Sequence, residues 1–432
     1  DYASLRRDLW NGCDMAYKSE VNMMAQKQNY LAQNPLPSSL EKIPDMQRSA
    51  PVTHIAEQTE AYDVDMQKLE SMANELSAIF KEYPYLYNTE VKVNGNEMTS
   101  YRSTSEGVNL KIPHNRVIIS ADASFKDDRN VAISDNLVLN YKNPSEIPSL
   151  DELKKIVRKF ADDCMAVRNA PDMPEYYKGP VMYEDAAAKL VFTENFLVAD
   201  QFYAMPSIQE NPKSLGQKLK KKILDERISI TNLTAQKEYN GQPLYGYYDI
   251  DADGFKPQTE MKIVDKGIFM MMLNRTTPAM YAEKSTASSR LGNDVAQTVP
   301  MVGVGTLHIK ATGTTKDEKM VNALIKAAKK QKLDYAYIIS NPEHYTSLRL
   351  YQLNLKTGER TLMKTNLLTL PKVSDLKELN AISDREIVEN NVSPYTYSVI
   401  YPASIIINDA ELSKPTLKPG KDNEITYPLL RK

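Results

Sequence analysis

Histidine and cysteine are scarce in this chain, four and two among 432 residues. His54, His114, His308 and His344 are spread so widely that no two fall within a helical turn or a hairpin of each other. That excludes H-E-x-x-H and its relatives, which need two imidazoles on one helix face. A site assembled from distant residues stays open, but surface or hydrogen-bonding roles suit histidines placed this way. Two cysteines cannot build a disulfide framework. Both fall on apolar stripes: Cys13 follows Leu5 and Leu9, and Cys164 shares helical spacing with Leu153, Ile156, Val157, Phe160 and Val167. Thiols buried in such stripes act as small hydrophobes, with their pKa raised away from reactivity.

An excess of charge of one sign is missing too. Lysine and arginine number 54 against 56 acidic residues, a net charge of −2. No nucleic-acid partner is expected from that balance. No stretch of 18 apolar residues occurs, so no membrane-spanning helix is expected. The sequence opens at Asp1 without methionine, and no basic segment followed by an apolar one stands there. A leader removed earlier would leave the compartment unreadable. G-x-S-x-G, the P-loop and G-x-G-x-x-G are all absent; Gly303-Val304-Gly305 lacks the remaining glycine and a following helix. Ser39-Leu40-Glu41-Lys42 matches S-x-x-K, but inside a polar loop, where chance accounts for it.

What is present describes a folded protein. Hydrophobic residues make up 42% and charged residues 25%, as in ordinary globular chains, and the length calls for two or three units. Residues 4–33 read as one long helix, broken by Asn34-Pro35-Leu36-Pro37. A second helix is expected over 65–83, stopped by Pro84. Asn94-Gly95 is the dipeptide of tight hairpin turns, and a turn is expected there. Residues 116–125 alternate, with Val117, Ile119, Ala121, Ala123 and Phe125 facing one way, so they predict a half-buried antiparallel strand paired with 132–141. Ser149 with Glu152 forms a capping pattern that opens a helix ending near Arg168. Residues 169–174 read as a linker. A short strand at 179–183 runs into a helix over 185–199, and another helix covers 315–331. Strands and helices do not alternate strictly, so the expected fold is α+β, with mixed and antiparallel sheets, packed helices and a β-rich C-terminal part. The expected division is a helical segment over 1–48, an α+β domain over 49–170 and a β-rich domain over 177–432.

Asp249, Asp251, Asp253, Gly254 and Glu260 satisfy the D-x-[DN]-x-[DN]-G-x5-E calcium pattern. The flanks, Tyr245-Gly246-Tyr247-Tyr248 and 261–264, read as strands rather than the two helices of an EF-hand. Lys256 stands where an apolar residue is usual, followed by Pro257. An acidic turn between strands is the plainer reading, and calcium binding the sharper one.

A resemblance gathers from Ser105 onward. Ser105-Glu106-Gly107 precedes the alternating strand that ends Ser120-Ala121-Asp122-Ala123. It is followed by 179–188 (Gly-Pro-Val-Met-Tyr-Glu-Asp-Ala-Ala-Ala), Ser214-Leu215-Gly216-Gln217, 249–254 with Gln258, and Gly267. Further along come Thr306-Leu307-His308-Ile309, Thr357-Gly358-Glu359 and 398–404 (Ser-Val-Ile-Tyr-Pro-Ala-Ser). In order and spacing, over about 300 residues, these resemble the TldD/PmbA family, candidate metallopeptidases also known as modulators of DNA gyrase. The resemblance implies an H-E-x-x-x-H helix and a later cysteine holding zinc. Here the matching segment is Tyr183-Glu184-Asp185-Ala186-Ala187-Ala188-Lys189-Leu190, without histidine, and no cysteine follows Cys164. No metal residue carries over, and no cofactor is expected. Glu184, Asp185 and Glu194 remain as the acidic groups nearest the family's site, and capping at a helix start accounts for the first two.

The chain therefore looks like the metal-free partner in a TldD/PmbA pair, a homodimer or paired subunit enclosing a chamber and binding an extended peptide. An active hydrolase with a carboxylate site is the alternative. A DNA-modulating role has no phosphate-binding footprint behind it. The long N-terminal helix resembles that of exported bacterial relatives, which points to a periplasmic or exported protein.

Overall fold

The computed structural model describes residues 1–35, 46–56, 62, 65–127, 130–174, 176–198, 201–204, 215–279, 281–292, 299–342, 344–364, 368 and 370–414. The chain divides into two units, Asp1–Met46 and Gln47–Lys432.

In the first unit, α1 (Tyr2–Gln33) is capped by Asp1, whose carboxylate accepts the N–H groups of Ala3 at 2.6 Å and Ser4 at 3.1 Å. None of its residues is buried. Cys13 is exposed, contrary to the expectation from its stripe. The helical spacing is real, but spacing alone does not bury a stripe, and α1 by itself leaves the thiol exposed.

The second unit begins with a sheet of β1 (Val52–Ile55), β2 (Tyr87–Ser103), β3 (Val108–Lys126) and β4 (Ala132–Tyr141). β3 is long enough to take parallel β1 beside residues 108–111 and antiparallel β4 beside 117–126, while β2 runs along its other side. The predicted alternation holds: Val117, Ile119, Ala121, Ala123 and Phe125 are all buried. The last four face α2 (Met66–Ala78) and α3 (Leu150–Asn169) in one apolar core. At the start of α3, Ser149 Oγ accepts the Glu152 N–H and the Glu152 carboxylate accepts the Ser149 N–H, completing the expected capping box. Cys164 lies on the buried face of α3, and burial pushes its thiol well up.

Asn94-Gly95 does not turn. Gly95 sits mid-strand opposite Val117, and the chain reverses instead at 104–107, where Gly107 takes φ +85°. A long ladder against β3 outweighs a local dipeptide preference.

Two six-stranded sheets follow. One orders β10 (Ile268–Phe269), β9 (Glu260–Asp265), β6 (Ile228–Leu233), β13 (Thr306–Ala311), β19 (Tyr397–Pro402) and β18 (Glu386–Asn391). The other orders β16 (Arg360–Met363), β15 (Arg349–Asn354), β14 (Tyr335–Asn341), β5 (Tyr176–Asp185), β20 (Ser404–Ser413) and β17 (Leu379–Ile382). The ladders β7 (Glu238–Tyr239) with β8 (Gln242–Pro243), and β11 (Ser289–Arg290) with β12 (Met301–Val302), stand apart. Alternation along the strands separates two cores. Val181, Tyr183, Tyr337, Ile339, Ile405 and Ile407 face the other sheet and α4 (Ala186–Thr193). Met182, Ala336, Ile338 and Ile406 face α5 (Met320–Lys330), against Leu324 and Ala328. Ala403 is the point where the chain leaves one sheet for the next. The fold is α+β, as expected. The segment read as a linker is packed, with Met173 in the sandwich core.

Candidate functional site

The segment matching the family's site lies where β5 becomes α4. Tyr183 points into the core, and Glu184 and Asp185 end the strand. Asp185 holds φ +53°, a left-handed conformation that a non-glycine residue adopts only under strain. Its N–H donates to Ala403 O at 2.9 Å, and Ser340 Oγ donates to its Oδ2 at 3.2 Å. Although Asp185 stands at the N-cap position, its side chain makes no capping hydrogen bond. The capping role expected from sequence is thus absent, because the side chain is turned to β14 instead.

Glu184 forms an ion pair with Arg360 at 2.6 Å. Burial raises its pKa; Arg360 pulls the other way, and the nearby charges of Asp185 and Asp317 add to the rise. Asp317 itself takes Arg385 Nε at 2.6 Å and the Ser383 hydroxyl at 2.7 Å. In register beside the acids stand Asn341, opposite Asp185, and Ser404, opposite Glu184. Both are buried, and Asn341 Oδ1 and Ser404 Oγ have no hydrogen-bond partner among the described residues. Neither was singled out from sequence, since only strand register brings them here.

Glu194 is not brought to this group. It follows the 8-residue α4, about 13.5 Å along the axis from Asp185. There it contributes to raising the Tyr397 hydroxyl, for which burial is the larger cause and Tyr395 and Glu389 the next. Lys189, on α4, pairs with Glu389 of β18.

The residues present do not fit a zinc ion held as the family resemblance implies. α4 carries three alanines, Lys189, Leu190, Val191, Phe192 and Thr193, of which the alanines, Val191, Phe192 and Thr193 are buried. Zinc takes imidazole, thiolate or carboxylate donors, and this helix offers none of them. His308 is engaged elsewhere, its Nε2 2.9 Å from Glu386 on β18.

The acidic loop forms a joint. Asp251 accepts the N–H groups of Asp253 at 3.0 Å, Phe255 at 2.8 Å and Ser289 at 3.0 Å. Burial nonetheless pushes its carboxyl up to about 6, against those hydrogen bonds. Asp253 receives Arg102 from β2 at 3.0 Å and Arg275 at 3.1 Å. Gly254 takes φ +85°, and a Cβ there would sit 2.8 Å from Val108 of β3, so the loop is pressed onto the first sheet. Asp249 accepts from the Tyr247 hydroxyl, and Glu260 opens β9 opposite Leu233. Asp251 and Asp253 are neighbours; Asp249 and Glu260 do not join them in a ligand set. Among the described residues, no three His, Cys, Asp or Glu side chains are grouped to hold a metal ion. Tyr245–Tyr248 is a turn and not the expected strand, because the N–H groups of Tyr245 and Gly246 go to Ser398 Oγ, at 2.8 and 3.1 Å, rather than to a strand partner. Among the described residues no helix is long and apolar enough to cross a membrane.

The sequence matches no family model, and no curated protein matches it. Its architecture nevertheless defines a class: an α+β chain with a first sheet backed by two helices, then two larger sheets around a buried strand-to-helix crossing. Solved proteins share that fold. A candidate modulator of a DNA gyrase from Thermotoga maritima MSB8 is similar with a TM-score of 0.55 and 13% identity, over 86% of this chain and 81% of that one. A candidate modulator of DNA gyrase from Bacteroides thetaiotaomicron VPI-5482 gives 0.53 and 12%, over 88% and 78%. TldE from Thermococcus kodakarensis gives 0.50 and 14%, over 85% and 79%. The resemblance to the TldD/PmbA family is supported at the level of the fold.

Proposed function

We propose that this chain is a peptide-binding partner subunit of a TldD/PmbA-type proteolytic assembly and works without a zinc ion of its own. The observation that carries the reading is α4. It occupies the segment where the resemblance implies a histidine-bearing helix, and it is filled with alanine and core side chains. Water activation by an inherited zinc has no ligands here. The fold likeness to TldE and to the gyrase-modulator structures supports the family-level role. β16 and β18 end their sheets, and a strand that pairs on one side only can hold an extended peptide by main-chain hydrogen bonds. The assembly is a homodimer or a pair with a zinc-bearing subunit, and the chain works as three parts, 1–48, 49–170 and 177–432.

Elemental analysis of purified protein tests the metal-free reading; one zinc per chain overturns it. Casein or an unfolded peptide should stay intact with this chain alone and be cleaved once a zinc-bearing TldD-type subunit is added. Cleavage by the chain alone instead supports a second reading, hydrolysis by a carboxylate site. The strained Asp185 beside Glu184, whose acid is raised, favours that alternative. Asp185→Asn would then abolish turnover.

A further inference from the structure

A small cavity of about 120 Å³ opens between the end of the first sheet and the tyrosine turn. His114, Lys142, Tyr247, Tyr248, Arg290 and Thr396 are among its lining residues, and no aspartate or glutamate lines it. The acids nearby are hydrogen-bonded to other groups, although the charge of Asp251 still reaches Arg290. Tyr245 and Tyr247 hold Glu146 and Asp249 through their hydroxyls, and Asp251 faces the N–H groups of Asp253, Phe255 and Ser289. Arg290 stands out among the enclosed arginines. Arg102 and Arg275 share Asp253, and Arg349 holds Asp135. The contacts of Arg290 are instead the Tyr248 ring at 4.1 Å, the Tyr395 ring at 5.9 Å and the Thr396 carbonyl, to which Nη2 donates at 3.0 Å. Its Nε is buried without an acceptor.

We propose that this cavity binds a carboxylate, gripped by Arg290 with exposed Lys142 at the mouth. A guanidinium fixed by stacking presents a fork that matches two carboxylate oxygens, and its partners here leave part of that fork unused. Stacking holds the side chain in place before a ligand arrives, which lowers the ordering cost of binding. The volume is below the several hundred Å³ of sites that enclose a whole drug-sized ligand, so the cavity takes the end of a ligand. The carboxylate comes either from the C-terminus of a peptide or from a small free acid. In its peptide form the inference rests on the peptide-binding reading above.

Calorimetric titration of the full chain with trialanine, trialanine amide and propionate tests it. The free-acid peptide should bind at least about tenfold more tightly than the amide, the difference a charge-assisted hydrogen bond makes. Arg290→Gln should erase that preference. Lys142→Ala, on the exposed rim, should weaken the acid and leave the amide unchanged, so the test survives if the buried substitution unfolds the chain. Propionate binding that Arg290→Gln abolishes, without peptide binding, assigns the free acid and sinks the peptide reading alone. Equal binding of peptide and amide overturns the cavity and spares the peptide reading. No binding of any probe at millimolar concentration overturns the carboxylate site.

Discussion

Asp135 on β4 and Arg349 on β15 form an ion pair with both side chains almost wholly buried, tying the first sheet to a sheet of the sandwich. Arg349 also lies over the Tyr345 ring at 5.3 Å, and the Tyr345 hydroxyl donates to Asp163 of α3 at 2.7 Å. Removing one partner leaves a charge stranded where water cannot reach it. Asp135→Asn or Arg349→Met should each cost about 3–5 kcal/mol in denaturant unfolding, and the double change to apolar residues should recover much of that. Additive losses would show that the two groups do not depend on each other.

Two aspartates should shape the pH profile in opposite directions. Asp251 rises from 3.8 to about 6 in the folded chain because it is buried. The folded state then binds its proton more tightly than the unfolded state, so its contribution is full below pH 3.8 and lost as the pH climbs through 6. Across that window, Asp251→Asn should gain on the parent by about 3 kcal/mol. For Asp225, burial alone would raise the carboxyl, but the Arg227 fork and the Leu379 N–H bring it down to about 2. Its contribution is present above 3.8 and disappears as the pH falls toward 2, so the penalty of Asp225→Asn should shrink in acid. Chemical denaturation across pH reads both; flat differences would contradict both.

The two thiols should separate by reactivity. A thiol reagent should modify exposed Cys13 at once and reach buried Cys164 only as the second unit unfolds. Labelling of native protein should therefore stop at one equivalent per chain. Two fast equivalents would mean that the α3 core opens readily.

Calcium added to chelator-treated protein should release no heat and leave the unfolding midpoint unchanged. Asp253 is held by two arginines and Asp251 by three N–H groups, so an ion would have to displace them all. A rise of the midpoint with millimolar calcium would show that it does.

Much of the fold was legible because burial leaves a period in the sequence. Val117 to Phe125 announced their strand, and Ser149 with Glu152 announced the start of α3, since both signals are local. Asn94-Gly95 and Tyr245–Tyr248 misled for the converse reason: a long ladder and a distant serine hydroxyl overrode what the local residues prefer. Cys13 misled because periodicity shows that a stripe exists and not that anything covers it. At the candidate site, Glu184 and Asp185 were found through the resemblance. Arg290 was not, because its setting of two rings and a carbonyl arises only when Tyr248, Tyr395 and Thr396 meet around it. The run of tyrosines at 245–248 was the one sequence signal near that cavity.

The passage of the chain through Ala403 has a bearing on how this protein can change over time. β19 and β20 are separated by that single residue, and each is an interior strand of its own sheet. Adding or deleting one residue there would leave β19 in register and turn every side chain of β20 to the opposite face, sending Ile405 and Ile407 toward α5 and Ile406 into the sandwich. Length variation is thus closed to this stretch, while the ladder at 238–243, whose Gly241 has open space around it, is free to lengthen.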